Sequence, residues 1–180
     1  MKKFELTTEF ITNAFGKKLF RIKALVEFGD VKAGELGGYV EKEGNVSQAG
    51  NAWVYGNARV SGDARVSGNA WVYGDARVYG DARVYGDARV YGDAWVSGDA
   101  RVYGDADYAL VQGFGTEFRC TTFYRGKNKK IMVNCGCFHG DLEGFRKQVK
   151  ETRNGKIAKE YLMIADLMEY HFTSEDSSDE

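Results

Sequence analysis

From Gly50 the chain repeats one six-residue pattern of polar and hydrophobic positions. The hexads read GNAWVY, GNARVS, GDARVS, GNAWVY, GDARVY, GDARVY, GDARVY, GDAWVS and GDARVY without insertion to Tyr103, and a tenth, GDADYA, loses the pattern. Self-similarity at a fixed short period marks a repeat architecture. Six residues are too few for a pair of helices and enough for one short strand and one turn. Side chains of a strand alternate sides, so the Ala and Val places face one way and the Arg/Trp and Tyr/Ser places the other. Gly followed by Asp or Asn supplies the turn, because Gly accepts positive φ and an Asx side chain bonds its own local backbone. The pattern predicts stacked short strands around a narrow Ala/Val interior, with aromatic and charged side chains displayed outside.

The flanks lose this period. In residues 1–49, Lys3–Thr7 predicts a short strand, and Leu19–Phe28 alternates with Phe20, Ile22, Ala24 and Val26 on one side. Asn13 and Gly16–Lys18 supply a turn between them. Ala33–Asn45 carries four glycines and predicts an irregular lead-in. Val40 to Val46 is a step of six but Val46 to Val54 is eight, which places a two-residue bulge before the clean repeat. This segment is expected to form an N-terminal β cap, since an uncovered terminal coil exposes unpaired backbone groups.

Residues 108–172 predict a C-terminal α+β cap. Its strands are expected at Tyr108–Gln112, Glu117–Tyr124 and Lys130–Phe138. Asp141 is a helix N-cap opening a helix to about Arg153, with Leu142, Phe145 and Val149 on one face. After Asn154–Gly155, Ile157, Tyr161, Ile164, Met168 and Phe172 keep the 3.6-residue period of a second helix. Residues 173–180 are acidic and are expected to be disordered. The domains are then 1–49, 50–107, 108–172 and the tail.

The spacing of an aliphatic residue and a small one four later, Val54…Ala58, Val60…Ala64 and on to Val102…Ala106, resembles the left-handed parallel β-helix family of hexapeptide repeats. The resemblance implies a mainly β solenoid with three hexads per coil, hence about three coils and three faces. Sorted by 18, one face carries Trp53, Tyr55, Trp71, Tyr73, Arg89 and Tyr91. The second carries Arg59, Ser61, Arg77, Tyr79, Trp95 and Ser97, and the third Arg65, Ser67, Arg83, Tyr85, Arg101 and Tyr103. The flanking stretches FGDVKAGELGGYVEKEGN and VNCGCFHGDLEGF resemble hexapeptide-repeat proteins of phages and mobile elements, which implies no particular activity.

Each outward row admits several readings. The aromatic face (Trp53, Tyr55, Trp71, Tyr73, Tyr91) fits intramolecular packing, by stacking or by the caps folding back over it, burial in a homo-oligomer (trimer or dimer), or a platform for a small molecule or glycan. The column Arg65, Arg83 and Arg101, with Tyr85 and Tyr103, fits a solvated lattice with Asn69, Asp87 and Asp105. It also fits an anion site with Tyr stacking, or a protein-partner surface, where Tyr and Arg are enriched.

Charge narrows the partners little. Net charge is −1, with 8 basic and 7 acidic residues in 1–49, 6 and 8 in 50–107, and 11 and 11 in 108–180. No segment is basic enough to predict nonspecific nucleic-acid binding. No apolar run approaches a membrane span, and MKKFELTTEF lacks the apolar core of a signal peptide. The three cysteines are an odd number and lie outside the repeats, which predicts a reducing cytoplasm.

Acyltransferases are the enzymes that the resemblance brings to mind, and they use a histidine general base. Here the histidines are His139 and His171, with none between Met1 and Phe138, so acyl transfer is not expected. Cys135, Cys137 and His139, spaced by two, point to one side if they share a strand, and with Cys120 they are weak candidates for a metal site. Buried thiols are the plainer reading, and no cofactor is expected. By elimination the chain is a non-enzymatic binding or scaffold protein with a protein partner. A phage-encoded inhibitor of a host defence protein is the sharpest form of that reading. The alternatives are a protein that sequesters a small anion or nucleotide and a degenerate acyltransferase.

Overall fold

The computed structural model describes residues 2–104, 107–127 and 129–173. The chain divides into two units, Met1–Asp105 and Ala106–Glu180. The first runs β1 (Phe4–Thr12), β2 (Lys18–Ala24), β3 (Leu36–Val40), a 3-10 turn at Glu43–Asn45, and then one two-residue strand per hexad. These are β4 (Trp53–Val54), β5 (Arg59–Val60), β6 (Arg65–Val66), β7 (Trp71–Val72), β8 (Arg77–Val78), β9 (Arg83–Val84), β10 (Arg89–Val90), β11 (Trp95–Val96) and β12 (Arg101–Val102).

Every third strand pairs in parallel. Trp53 faces Trp71 and Trp71 faces Arg89; Arg59 faces Arg77 and Arg77 faces Trp95; Arg65 faces Arg83 and Arg83 faces Arg101. The offset is 18 residues, so three hexads close one coil and the chain forms a parallel β-solenoid. The Ala and Val of each hexad from Ala52 to Val102 are fully buried, which makes the interior a column of small side chains. Coil-to-coil bonds such as Trp53 N–H to Ala70 O (3.1 Å) and Tyr55 N–H to Val72 O (2.8 Å) form the ladders.

The hexad glycines turn the corners. Gly68 has φ +71°, and a Cβ there would lie 3.0 Å from the Gly86 nitrogen one coil on. The residue after it keeps negative φ, which is the backbone of a type II′ turn. Gly62, Gly68, Gly74 and Gly80 each stack on the glycine one coil on, where a side chain is disfavoured by conformation and crowded by the neighbouring backbone.

The solenoid begins earlier than the hexads indicate. Ala33–Asn45, expected as an irregular lead-in, contains β3, which pairs in parallel with β5 through Tyr39↔Arg59 and Val40↔Val60. Val46 bridges Val66 in the same sense. These offsets are 20 rather than 18, and the two extra residues are the bulge between Val46 and Val54. Gly38 and Val40 stand where later coils have Ala and Val. Even alanine is too large at the first of them: a Cβ on Gly38 would meet Ala58 O at 2.5 Å and Val54 Cγ1 at 2.7 Å. The stack thus has about four coils rather than three.

β1 and β2 then add antiparallel strands to one side, giving the sheet order β1-β2-β3-β5-β8-β11. β2 buries Leu19, Ile22 and Ala24, not the alternating set Phe20, Ile22, Ala24 and Val26. A register shift between Arg21 and Lys23 breaks the alternation.

On the other two sides, side chains close the top of the first hexad coil. Lys3 Nζ donates to Gly50 O (3.2 Å) and Ala52 O (2.8 Å). Asn45 Nδ2 donates to Gly62 O (3.1 Å) and Ala64 O (2.9 Å). Gln48 Oε1 accepts from the Lys3 and Phe4 N–H groups and fixes the chain that carries Lys3. Carbonyls that would otherwise await another coil are satisfied from within.

The second unit is an antiparallel sheet, β13 (Tyr108–Phe114), β14 (Arg119–Arg125), β15 (Ile131–Cys135) and β16 (Phe138–Asp141), followed by α1 (Leu142–Thr152) and α2 (Gly155–Thr173). Phe123, Val133, Leu142, Phe145, Ile164 and Met168 form its core. Asp141 caps α1 by accepting from Gly144 N–H at 2.9 Å. The strand expected over Lys130–Phe138 is two, because Gly136 takes φ +60° and reverses the chain. The tail expected to be disordered lies, from residue 174 onward, outside the described residues.

Candidate binding faces of the solenoid

The aromatic face changes character along its length. Trp53 is 0% exposed: Phe4 and Phe28 meet it edge-on at 5.8 and 5.3 Å, folded over it from the N-terminal segment. It is a packing residue, closed to any second molecule. Its indole N–H is buried with no partner among the described residues. Tyr55 lies against Trp71 at 5.3 Å, and burial pushes its hydroxyl pKa up to about 12. Further along, Arg89 stacks over Trp71 (5.4 Å), Tyr73 stacks on Tyr91 (5.4 Å), and Tyr91 is 46% exposed. The face is a sealed core at one end and an accessible Tyr73–Tyr91 stack at the other.

On the third face Arg65, Arg83 and Arg101 are in register, one coil apart. The expected Arg–Asx lattice does not form among the described residues. Asn51 donates to Asn69 (3.1 Å) and Asn69 to Asp87 (3.0 Å), so the turn residues stack on one another along the corner. Asp105 lies outside the described residues. Arg101 donates to the backbone carbonyls of Asp81 (3.1 Å) and Ala100 (3.0 Å). No ion pair joins Arg65 or Arg83 to a carboxylate among the described residues. Tyr85 and Tyr103 set their rings together beside this column, and Tyr103 is 60% exposed.

The second face acquires a wall that its hexads do not announce. Because β1 and β2 continue the same sheet, the tip of their hairpin comes to line a cleft over Arg59, Ser61, Arg77, Tyr79 and Trp95. No hexad feature signals this; the only hint is the Asn13…Gly16 turn, whose docking depends on β3 being a strand.

The cysteine and histidine candidates do not assemble. Cys135 ends β15, Cys137 sits exposed in the turn, and His139 lies on β16 opposite Asn134. The turn at Gly136–Cys137 removes the shared strand that a one-sided C-x-C-x-H needs. Thr121 faces Cys135 across the sheet and donates to its sulfur at 3.1 Å, so Cys120, one residue earlier, faces the other side. The thiols of Cys120 and Cys135 are half-buried, not buried. His139 Nδ1 is 2.6 Å from Asn134 Oδ1. No three His, Cys, Asp or Glu side chains gather as a metal site among the described residues. No helix among them is long and apolar enough to cross a membrane.

Comparison with known proteins agrees with this geometry. Residues 52–68, 58–74, 64–80, 76–92 and 82–98 each match the family model described as the YdcK beta solenoid repeat. The matches fall within the hexads and mark the chain as similar to that repeat. A search of curated proteins found no match.

Proposed function

We propose that this β-solenoid repeat protein is a non-enzymatic binder that presents Arg65, Arg83, Arg101, Tyr85 and Tyr103 to an acidic surface of a protein partner. The observation that carries the reading is the pair Arg65 and Arg83. Their backbones are fixed by parallel pairing, and neither guanidinium makes an ion pair within 4 Å of a carboxylate among the described residues, although Asp63 feels the charge of Arg65. Such a row loses little freedom on binding, and arginine with tyrosine is the composition of interface hot spots. Given the resemblance to phage and mobile-element proteins, the partner is a host defence protein, bound and inhibited in the reducing cytoplasm. The accessible Tyr73–Tyr91 end of the aromatic face is the surface for self-association into a dimer or trimer.

The test is native mass spectrometry of the protein purified from phage-infected cells, followed by affinity measurement with the retained partner. Reversing Arg65, Arg83 and Arg101 to Glu should weaken that complex at least about 100-fold, as loss of two or more hot-spot residues does. Unchanged affinity removes this face from the function. Acyl-group turnover with acyl-CoA that is lost in His139→Ala would replace the binding reading with catalysis.

A further inference from the structure

The geometry points to a second site, for a compact planar aromatic anion, in the cleft between the β1–β2 hairpin tip and the Arg59–Arg77–Trp95 row. It goes beyond the protein-binding face and does not depend on it. The cleft has a volume of about 270 Å³ and is lined by Phe15, Arg59, Ser61, Arg77, Tyr79 and Trp95, among others. That is just below the usual range of small-molecule pockets, roughly 300–1,000 Å³. It suits one ring system with one anionic group.

Charge is the first argument. Of the cations nearest in sequence and sheet order, Arg21 pairs with Glu9 at 3.0 Å and Lys17 with Glu41 at 2.9 Å, while Lys18 lies over the Phe10 ring at 4.4 Å. Tyr39, opposite Arg59 in the register, also spends its hydroxyl on Glu9 (2.8 Å). Arg59 and Arg77, adjacent on parallel strands and half-buried, have no carboxylate among the described residues. Two arginines in register on adjacent strands of a fixed sheet suit one phosphate or carboxylate, which accepts paired N–H bonds.

The second argument is the ring content. Arg77 lies over the Trp95 indole, its guanidinium carbon 4.8 Å from the ring centroid, which places a cation–π contact inside the cleft. Tyr79 is the next outward residue after Arg77. Phe15, 79% exposed, stands at the hairpin tip. The tip is held: Asn13 Oδ1 accepts from Phe15 N–H (2.9 Å) and Lys17 N–H (3.0 Å), and Gly16 takes φ +75°. A large hydrophobic ring left out on an ordered turn at the mouth of a cationic cleft is suited to stack on a flat ligand.

Isothermal titration with adenosine monophosphate and with indole-3-carboxylate tests the site, with inorganic phosphate and adenosine as half-ligands. The expected result is that at least one ring-bearing anion binds at or below about 1 mM. Arg59→Gln and Arg77→Gln should each weaken it about tenfold or more, as expected for a lost bidentate contact. Arg89→Gln, on another face, should leave it unchanged. Phe15→Ser, a change at a side chain that is 79% exposed, should weaken whichever ring-bearing anion binds and leave inorganic phosphate unaffected. Which probe prevails separates a phosphate-bearing ligand from a carboxylate-bearing one. The site is overturned if neither ring-bearing anion binds, if Arg59→Gln and Arg77→Gln bind as wild type does, or if inorganic phosphate binds as tightly as the ring-bearing anion that prevails.

Discussion

Lys3 offers a test of how the solenoid's upper end is closed. Lys3 is 4% exposed, and its ammonium donates to Gly50 O and Ala52 O and lies 4.6 Å from the Phe28 ring centroid. Burial lowers its pKa from 10.5 to about 8. The folded state therefore releases the Lys3 proton before the unfolded state does. Between pH 8 and 10.5 the unfolded chain binds more protons, so stability rises with pH across that window, and below it the burial penalty is fully present. With those two pKa values, raising the pH from about 7.5 to about 9.5 should add about 2 kcal/mol to the stability of the first unit. Tyr55 acts in the opposite sense. Its pKa of about 12 makes stability fall with pH, chiefly above its unfolded value of 10.

The assay is urea unfolding followed by tryptophan fluorescence, since all three tryptophans, Trp53, Trp71 and Trp95, lie in the first unit. Lys3→Met removes the titrating group, and its stability should lack the alkaline rise. It should also be less stable than wild type at high pH by about 1–3 kcal/mol, because the buried Ala52 carbonyl and the part-buried Gly50 carbonyl lose their donor. A wild-type profile that is flat between pH 7.5 and 9.5, or an equal rise in Lys3→Met, would refute the reasoning.

Two further outcomes follow from the same structure. Asn45→Ala should destabilise the first unit by about 2–4 kcal/mol in the same fluorescence assay, since Asn45 is fully buried and its amide satisfies Gly62 O and Ala64 O. In the second unit, Arg146→Met should cost about 1 kcal/mol by circular dichroism and flatten the salt dependence of helix melting, because Arg146 joins Glu143 on α1 to Asp166 and Glu169 on α2 at 2.8–3.0 Å.

The hexads made the coil, its interior and its three rows legible, because each residue's side is set by a period that never slips. The helices were legible for a similar reason: Asp141 caps, and Phe145, Val149, Ile164 and Met168 keep the helical period. The first coil was hidden because glycine stands at position 38 in place of alanine, so the repeat is present in space and absent in letters. The reversal at Gly136 was hidden because one glycine among polar residues does not distinguish a bulge from a turn. Burial of Lys3 was not legible at all: it depends on acceptors 47 and 49 residues away. The candidate rows were therefore readable as rows. Which of their members stay open, Arg83 and Tyr91 against Trp53, depended on the folding of the first 40 residues.

The stacking of three hexads per coil also governs how such a gene can vary. Three consecutive GDARVY units are identical, so replication slippage can add or remove six codons without disturbing an Ala or Val of the interior. Each such event turns every downstream side chain to the neighbouring face, carrying Trp95, for example, out of the row of Arg77. Only a change by three units restores the faces and lengthens each row by one place. The interior tolerates any whole number of hexads, whereas the surface is defined modulo three. A lineage can thus change what it displays in one step while its core remains untouched.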